Sequence, residues 1–145
     1  MDVTATLTAP CAPEVLYRCV ADLGSYPDWL EIVPKAVAED GDEPAWVVDL
    51  RGKLGPFARS KRLRMVRTQD DSPSSVVFER QERDGRSHSP WILRADVTAA
   101  GEGSHLEMRL HYGGSLWGAV IERMLRDEIE SSRRRLLQLV SERTR

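Results

Sequence analysis

Much is missing from this sequence, and each absence removes a class of function. No stretch approaches the roughly 20 apolar residues needed to span a bilayer, so integral membrane association is not expected. The opening residues, MDVTATLTAPCAPEV, have neither a basic start nor an apolar core, so they do not read as a secretory signal; a cytoplasmic location is the expectation. Neither sign of charge dominates: 21 Lys and Arg against 23 Asp and Glu leave a net charge of −2, which gives no pull toward nucleic acid or an acidic membrane. Cysteine is scarce. Cys11 and Cys19 are separated by eight residues of expected helix, about 12 Å, too far for a disulfide, and they read as two reduced, buried thiols. His88, His105 and His111 are scattered without metal-ligand spacing, so neither metal nor cofactor is expected. There is no Ser-His-Asp or Cys-His arrangement, phosphate loop or dinucleotide fingerprint. Repeats and low-complexity linkers are also lacking, so residues 1–145 read as one domain.

What is present is periodicity. Residues 2–8 alternate, rich in Thr and Val, as a strand does. Pro13 suits the first turn of a helix, and Val15, Leu16, Cys19, Val20 and Leu23 form its apolar stripe. Gly24 fits the stop of that helix, and Ser25 fits the cap of a second short one over residues 26–30. Six further strands follow, at 35–39, 45–53, 57–68, 75–82, 88–98 and 104–112, separated by turn signals such as Gly55-Pro56 and Asp84-Gly85. A long helix from about Leu116 to Arg143, with Ser115 as its cap, closes the chain. Consecutive strands joined by hairpins predict an antiparallel sheet of seven strands in an α+β fold. Such a sheet curls, and one helix is too thin to fill its concave face. A cavity is therefore expected between them, of the apolar kind that takes small molecules.

The order of elements, the Ala-Pro entry to the first helix and the segment from Ala21 to Leu30, ADLGSYPDWL, resemble the START/Bet v 1-like superfamily (SRPBCC). The chain is most similar to the bacterial polyketide cyclase/dehydrase and lipid-transport group, which includes coenzyme Q-binding relatives. The resemblance implies a helix-grip fold, a curved seven-stranded antiparallel sheet wrapped around a long C-terminal helix, with two short helices after the first strand. It implies a pocket between sheet and helix, but not one function, because this fold hosts carriers, receptors and cyclases. In the aromatase/cyclases of polyketide synthesis, an arginine on a cavity-facing strand works with tyrosine hydroxyls. The resemblance puts Arg67 at that arginine position, and the matching tyrosine position falls at about Val33.

The strand phase selects candidate ligand-binding residues. Leu63 and Met65 share a face with Arg59, Lys61 and Arg67 within a run of seven basic residues from Arg51 to Arg67 that holds no acid. The inward set is a candidate hook for a carboxylate, phosphate or enolate, whereas Arg62 and Arg64 read as a solvated outer face paired with Glu79 and Glu82. Trp46, Phe78, Trp91, Leu93, Met108 and Leu110 supply apolar lining from the other strands. Trp117, Ile121 and Leu125 supply it from the long helix. Glu128 falls near the edge of that helix's inward side. Three functions follow: a binder or carrier of a lipid, polyketide or isoprenoid; a cyclase or dehydratase with Arg67 as the oxyanion or enolate stabiliser and Tyr112 as its proton partner; or a partner-binding protein with a vestigial pocket. The sequence is silent on oligomeric state.

Overall fold

Alternation of Thr with apolar residues makes Asp2–Ala9 a strand, β1, with Val3, Leu7 and Ala9 buried and Thr4, Thr6 and Thr8 turned out. The computed structural model describes residues 2–54, 57–113 and 118–144; the side chains of 53, 54, 57, 59, 118–122, 124 and 125 lie outside the description. Pro13 opens helix α1, Pro13–Val20, where its missing N–H costs nothing. The apolar stripe buries Leu16, Tyr17, Cys19 and Val20.

The helix ends earlier than the sequence suggests. Ala21 closes it, its N–H donating to the Tyr17 carbonyl at 2.8 Å. The Asp22 carboxylate then caps a 3₁₀ helix, Leu23–Asp28, by accepting the Gly24 N–H at 2.8 Å. Gly24 is thus inside the second helix, not at the stop of the first, and Ser25 is not its cap. The Ser25 hydroxyl lies within 3.0 Å of the Cys19 carbonyl and 2.7 Å of the Asp22 carbonyl, and so ties the two helices together.

The remaining strands are β2 (Lys35–Ala38), β3 (Ala45–Leu54), β4 (Phe57–Asp71), β5 (Ser75–Arg80), β6 (Trp91–Ala100) and β7 (Gly103–Tyr112). They form one antiparallel sheet in the order β1-β7-β6-β5-β4-β3-β2. The expected seven-stranded α+β helix-grip architecture is therefore present. β4 runs three residues past its expected end, because a register shift between Arg67 and Gln69 lets the pairing with β5 continue to Asp71. β6 begins at Trp91 instead of residue 88, after Pro90, which has no N–H to give to a ladder.

The last helix, α2, spans Gly118–Thr144. The start expected for it, with Ser115 as cap, lies outside the described residues, as does the Gly55-Pro56 turn. Ile129, Ser132, Leu136 and Val140 recur at helical spacing along its inner side. Leu136 and Val140 are fully buried, and each such side chain contributes about 1.5–3 kcal/mol. One end of the space between sheet and helix is filled by aromatics. Phe78 meets Trp46 edge-on at 5.6 Å and Tyr26 at 6.4 Å, and Tyr26 meets Trp29 at 4.8 Å.

Candidate functional site

Beyond that aromatic plug the sheet and α2 part, leaving a cavity of about 130 Å³. Register explains its walls. On the inner face Leu63 lies opposite Val48, Met65 opposite Trp46, and Leu93 opposite Leu110. Leu63, Met65, Trp91, Leu93, Met108 and Leu110 all line the cavity, as the strand phase predicts. Trp46 and Phe78 do not: both are buried in the plug. Trp117 lies outside the described residues, as do the side chains of Arg59, Ile121 and Leu125.

Several lining residues escape a sequence reading. Ile32 and Val33 sit in the connection after the 3₁₀ helix, where no periodicity marks a face. Leu23, Tyr26 and Leu30 come from the 3₁₀ segment and its end, and Val3 and Ala5 from the inner phase of β1. Ser132 and Ile129 come from α2. Val33, at the position where the resemblance would set a tyrosine, presents only methyl groups.

The polar groups of the lining are almost all committed to the protein. The Tyr26 hydroxyl donates to the Val20 carbonyl at 2.9 Å, and burial pushes its pKa far above the ordinary tyrosine range. The Trp29 indole N–H donates to the Cys19 carbonyl at 3.3 Å. The Ser132 hydroxyl bonds back to the Ile129 carbonyl at 2.9 Å. Glu128 accepts the Ile32 N–H at 3.2 Å and an Arg135 N–H at 3.3 Å, while Arg135 also donates to the Trp29 carbonyl. That carboxylate therefore fastens the connection after the 3₁₀ helix to α2. The exception is Trp91: its indole N–H is buried and has no acceptor among the described residues.

The basic residues of β4 have separated into different roles. Arg67 turns inward but stays outside the cavity lining. Its guanidinium donates to the Ala21 carbonyl at 2.8 Å, lies 5.5 Å from the Trp46 ring centre and stands 3.8 Å from the Asp70 carboxylate. Asp70 also receives the Tyr17 hydroxyl, whose pKa is raised by burial and then by that bond. Lys61 lies 5.8 Å from the ring centre of Trp91, and Leu50, its partner across the ladder, lines both the cavity and the outer groove that holds Lys61. Burial, then the charge of Arg80, holds the Lys61 ammonium below the ordinary lysine range.

On the outer face, Arg62 pairs with Asp49 at 2.7 Å and is well exposed. Arg64 corrects the expectation of a solvated residue paired with Glu79 and Glu82. Its side chain is only 8% exposed and is clasped by Glu39 at 3.1 Å, Glu43 at 2.7 Å and the Gln81 carbonyl at 2.9 Å. Glu82 instead accepts the Arg64 backbone N–H. Tyr112 is buried, its ring 5.3 Å from that of Trp91, and it too stands outside the cavity lining. Among the described residues no cluster of three or more His, Cys, Asp or Glu is placed to hold a metal ion, and no helix is long and apolar enough to cross a membrane.

Solved structures share this fold. A protein from Thermus thermophilus superposes with a TM-score of 0.78 at 18% identity, covering 100% of both chains. A START superfamily protein from Mycobacterium smegmatis gives 0.73 at 14% identity over 99% of each chain. The di-domain ARO/CYC StfQ from the steffimycin biosynthetic pathway gives 0.69 at 16% identity, over 98% of this chain and 51% of its own. At these identities the likeness carries the fold alone. No curated protein matches the sequence significantly. The sequence profile of one family, however, matches residues 1–141, and with it the sheet, the 3₁₀ segment and α2 that enclose the cavity; the chain belongs to the polyketide cyclase/dehydrase and lipid transport family.

Proposed function

We propose that the protein binds a small, mainly apolar molecule between the sheet and α2, as a carrier and not as a catalyst. One observation supports this above the rest: the cavity walls are apolar, and nearly every polar atom in them is already bonded to the protein. Such walls favour burial of hydrocarbon and offer little to a transition state that develops charge. An Arg67 cyclase is disfavoured by the same geometry. The guanidinium is engaged by Ala21 and Asp70, and Val33 brings no hydroxyl. The buried free thiols Cys11 and Cys19 suit a reducing compartment, in keeping with action in the cytoplasm.

Size narrows the ligand. A dry apolar cavity of about 150 Å³ holds benzene in another protein, whereas sites for drug-sized ligands run to about 300–1,000 Å³. A volume of about 130 Å³ accommodates one ring or a short branched group. A whole lipid, polyketide or isoprenoid would require α2 to move or part of the molecule to remain outside.

The test is a titration with the neutral probe 3-phenylpropan-1-ol, followed by tryptophan fluorescence because Trp29 and Trp91 line the cavity. Saturable binding is expected. Ala5→Leu, which adds a side chain to the cavity wall, should weaken it by about tenfold or more while the circular dichroism spectrum is kept. Unchanged affinity in that variant would move the site elsewhere and end the proposal.

A further inference from the structure

We infer that the ligand is an arylalkyl carboxylate, or a molecule with the same ends, whose acid group is held by the Lys61 ammonium and the Trp91 indole N–H. This rests on the binding function proposed above and adds the polar end of the ligand to it.

Trp91 is 5% exposed and lines the cavity, yet its N–H is the one buried side-chain polar atom of the described lining without a partner. Leaving a buried donor unpaired is costly, so one that persists calls for an acceptor, and a ligand oxygen would supply it. Lys61 stands over the same indole ring. It is half-buried and forms no ion pair among the described residues, unlike Arg62, Arg64, Arg67 and Arg80 on the same two strands. Of its charged neighbours, Arg80 repels it more than Glu82 attracts it, and the Glu82 carboxylate is bonded to Arg80 at 3.0 Å and to the Arg64 N–H at 3.0 Å.

Position completes the case. Leu50 forms a wall common to the cavity and to the surface groove lined by Pro34, Arg51 and Lys61. A ligand whose ring fills the cavity would therefore bring a chain past Leu50 toward Lys61. A carboxylate there relieves the ammonium's desolvation and accepts the indole N–H, and charge-assisted bonds of this kind are among the stronger ones. Arg67 is not the anchor of this cavity: it lies at the other end of the strand's inner face, outside the lining, bonded to the Ala21 carbonyl and beside Asp70.

Calorimetric titration should compare 3-phenylpropionate, 3-phenylpropan-1-ol, 3-phenylpropylammonium and propylbenzene. The acid should bind about tenfold tighter than the alcohol, and the ammonium weaker than either. Lys61→Met should erase the acid's advantage and keep alcohol affinity. Arg62→Met removes an equal charge from the same groove and should preserve that advantage. Trp91→Phe removes the N–H together with part of the cavity wall; acid and alcohol should lose several-fold more affinity than propylbenzene, which reports the lost wall alone. Equal affinity for acid and alcohol, or an acid preference that survives Lys61→Met or falls equally in Arg62→Met, overturns the inference while leaving the apolar site intact. An equal change for acid, alcohol and propylbenzene in Trp91→Phe overturns the two-point site. If none of the four compounds binds, the binding function itself fails, and the inference with it.

Discussion

Lys61 and Arg67 occupy the same inward phase of β4, six residues and therefore roughly 20 Å apart, and each cation rests near a tryptophan ring, at 5.8 and 5.5 Å. Around Arg67 the protein has closed in. The Ala21 carbonyl accepts its proton, Asp70 stands alongside, Phe78 faces it across the ladder, and Tyr17 secures Asp70 from α1. Around Lys61 there is an indole face and a groove, with no acid in ion-pair contact among the described residues. Two cations in one phase of one strand thus have opposite availability. A charged residue in a cavity-facing phase can anchor a ligand only where the fold leaves it donors to give.

The largest effect that would sharpen this contrast belongs to the closed end. Phe78→Ala should lower stability by about 3–5 kcal/mol in denaturant unfolding, because Phe78 is fully buried between Trp46 and Tyr26. A loss below about 1 kcal/mol would mean that the plug is not packed as described. Next comes Arg64→Met, which leaves Glu39 and Glu43 without their buried partner and should cost about 2–4 kcal/mol, since those acids remain partly hydrated.

The Arg64 clasp also carries a pH signature. Hydrogen bonds from Arg64, then from Arg83, hold the Glu43 carboxyl below the usual carboxylate range. Its native state therefore binds fewer protons than the unfolded chain, so this stabilisation is present above the unfolded value of about 4.3 and is lost as pH falls through the native one. Acid unfolding of Arg64→Met should show a shallower fall below about pH 4 than wild type. An identical acid limb would detach Glu43 from the clasp.

Arg67→Met should cost less, about 1–2 kcal/mol, through the orphaned Ala21 carbonyl and the lost ring contact, with affinity for the apolar probe retained. Intact stability with a tenfold loss of affinity would reverse the roles of the two ends. The smallest effect is reserved for Lys61→Met, whose stability should stay within about 0.5 kcal/mol of wild type near neutral pH. Because the native Lys61 binds its proton less well than the unfolded chain, wild-type stability should gain with rising pH in an alkaline window ending near 10.4. Lys61→Met should lack that gain; its persistence would assign the gain to another group.

How far the site was legible follows from the same residues. Strand alternation identified Leu63, Met65, Leu93, Met108 and Leu110 as lining, because the two-residue period fixes a face whatever the partner strand. It failed for Trp46 and Phe78. They share the inner face, but Phe78 meets Tyr26 of the 3₁₀ segment and Trp46 meets Phe78, and nothing in their own strands reveals that depth. Ile32 and Val33 were invisible for the opposite reason: they are held in an irregular connection by Arg51 and Glu128, residues distant in sequence. The clasp around Arg64 is not legible in the sequence because phase gives a face and not what covers it; here Glu39 and Glu43 fold over the outer side.

The order of elements, the antiparallel class and the inward phase of each strand are written in the amino-acid sequence, since these depend on local periodicity and turn chemistry. The volume of the cavity and the bonding of its polar groups come from the packed fold. Those depend on contacts between residues far apart along the chain, such as Arg67 with Ala21, Glu128 with Ile32 and Lys61 with Trp91. A strand's period tells where a side chain points; only the packed neighbours determine whether anything is left for a ligand to bind.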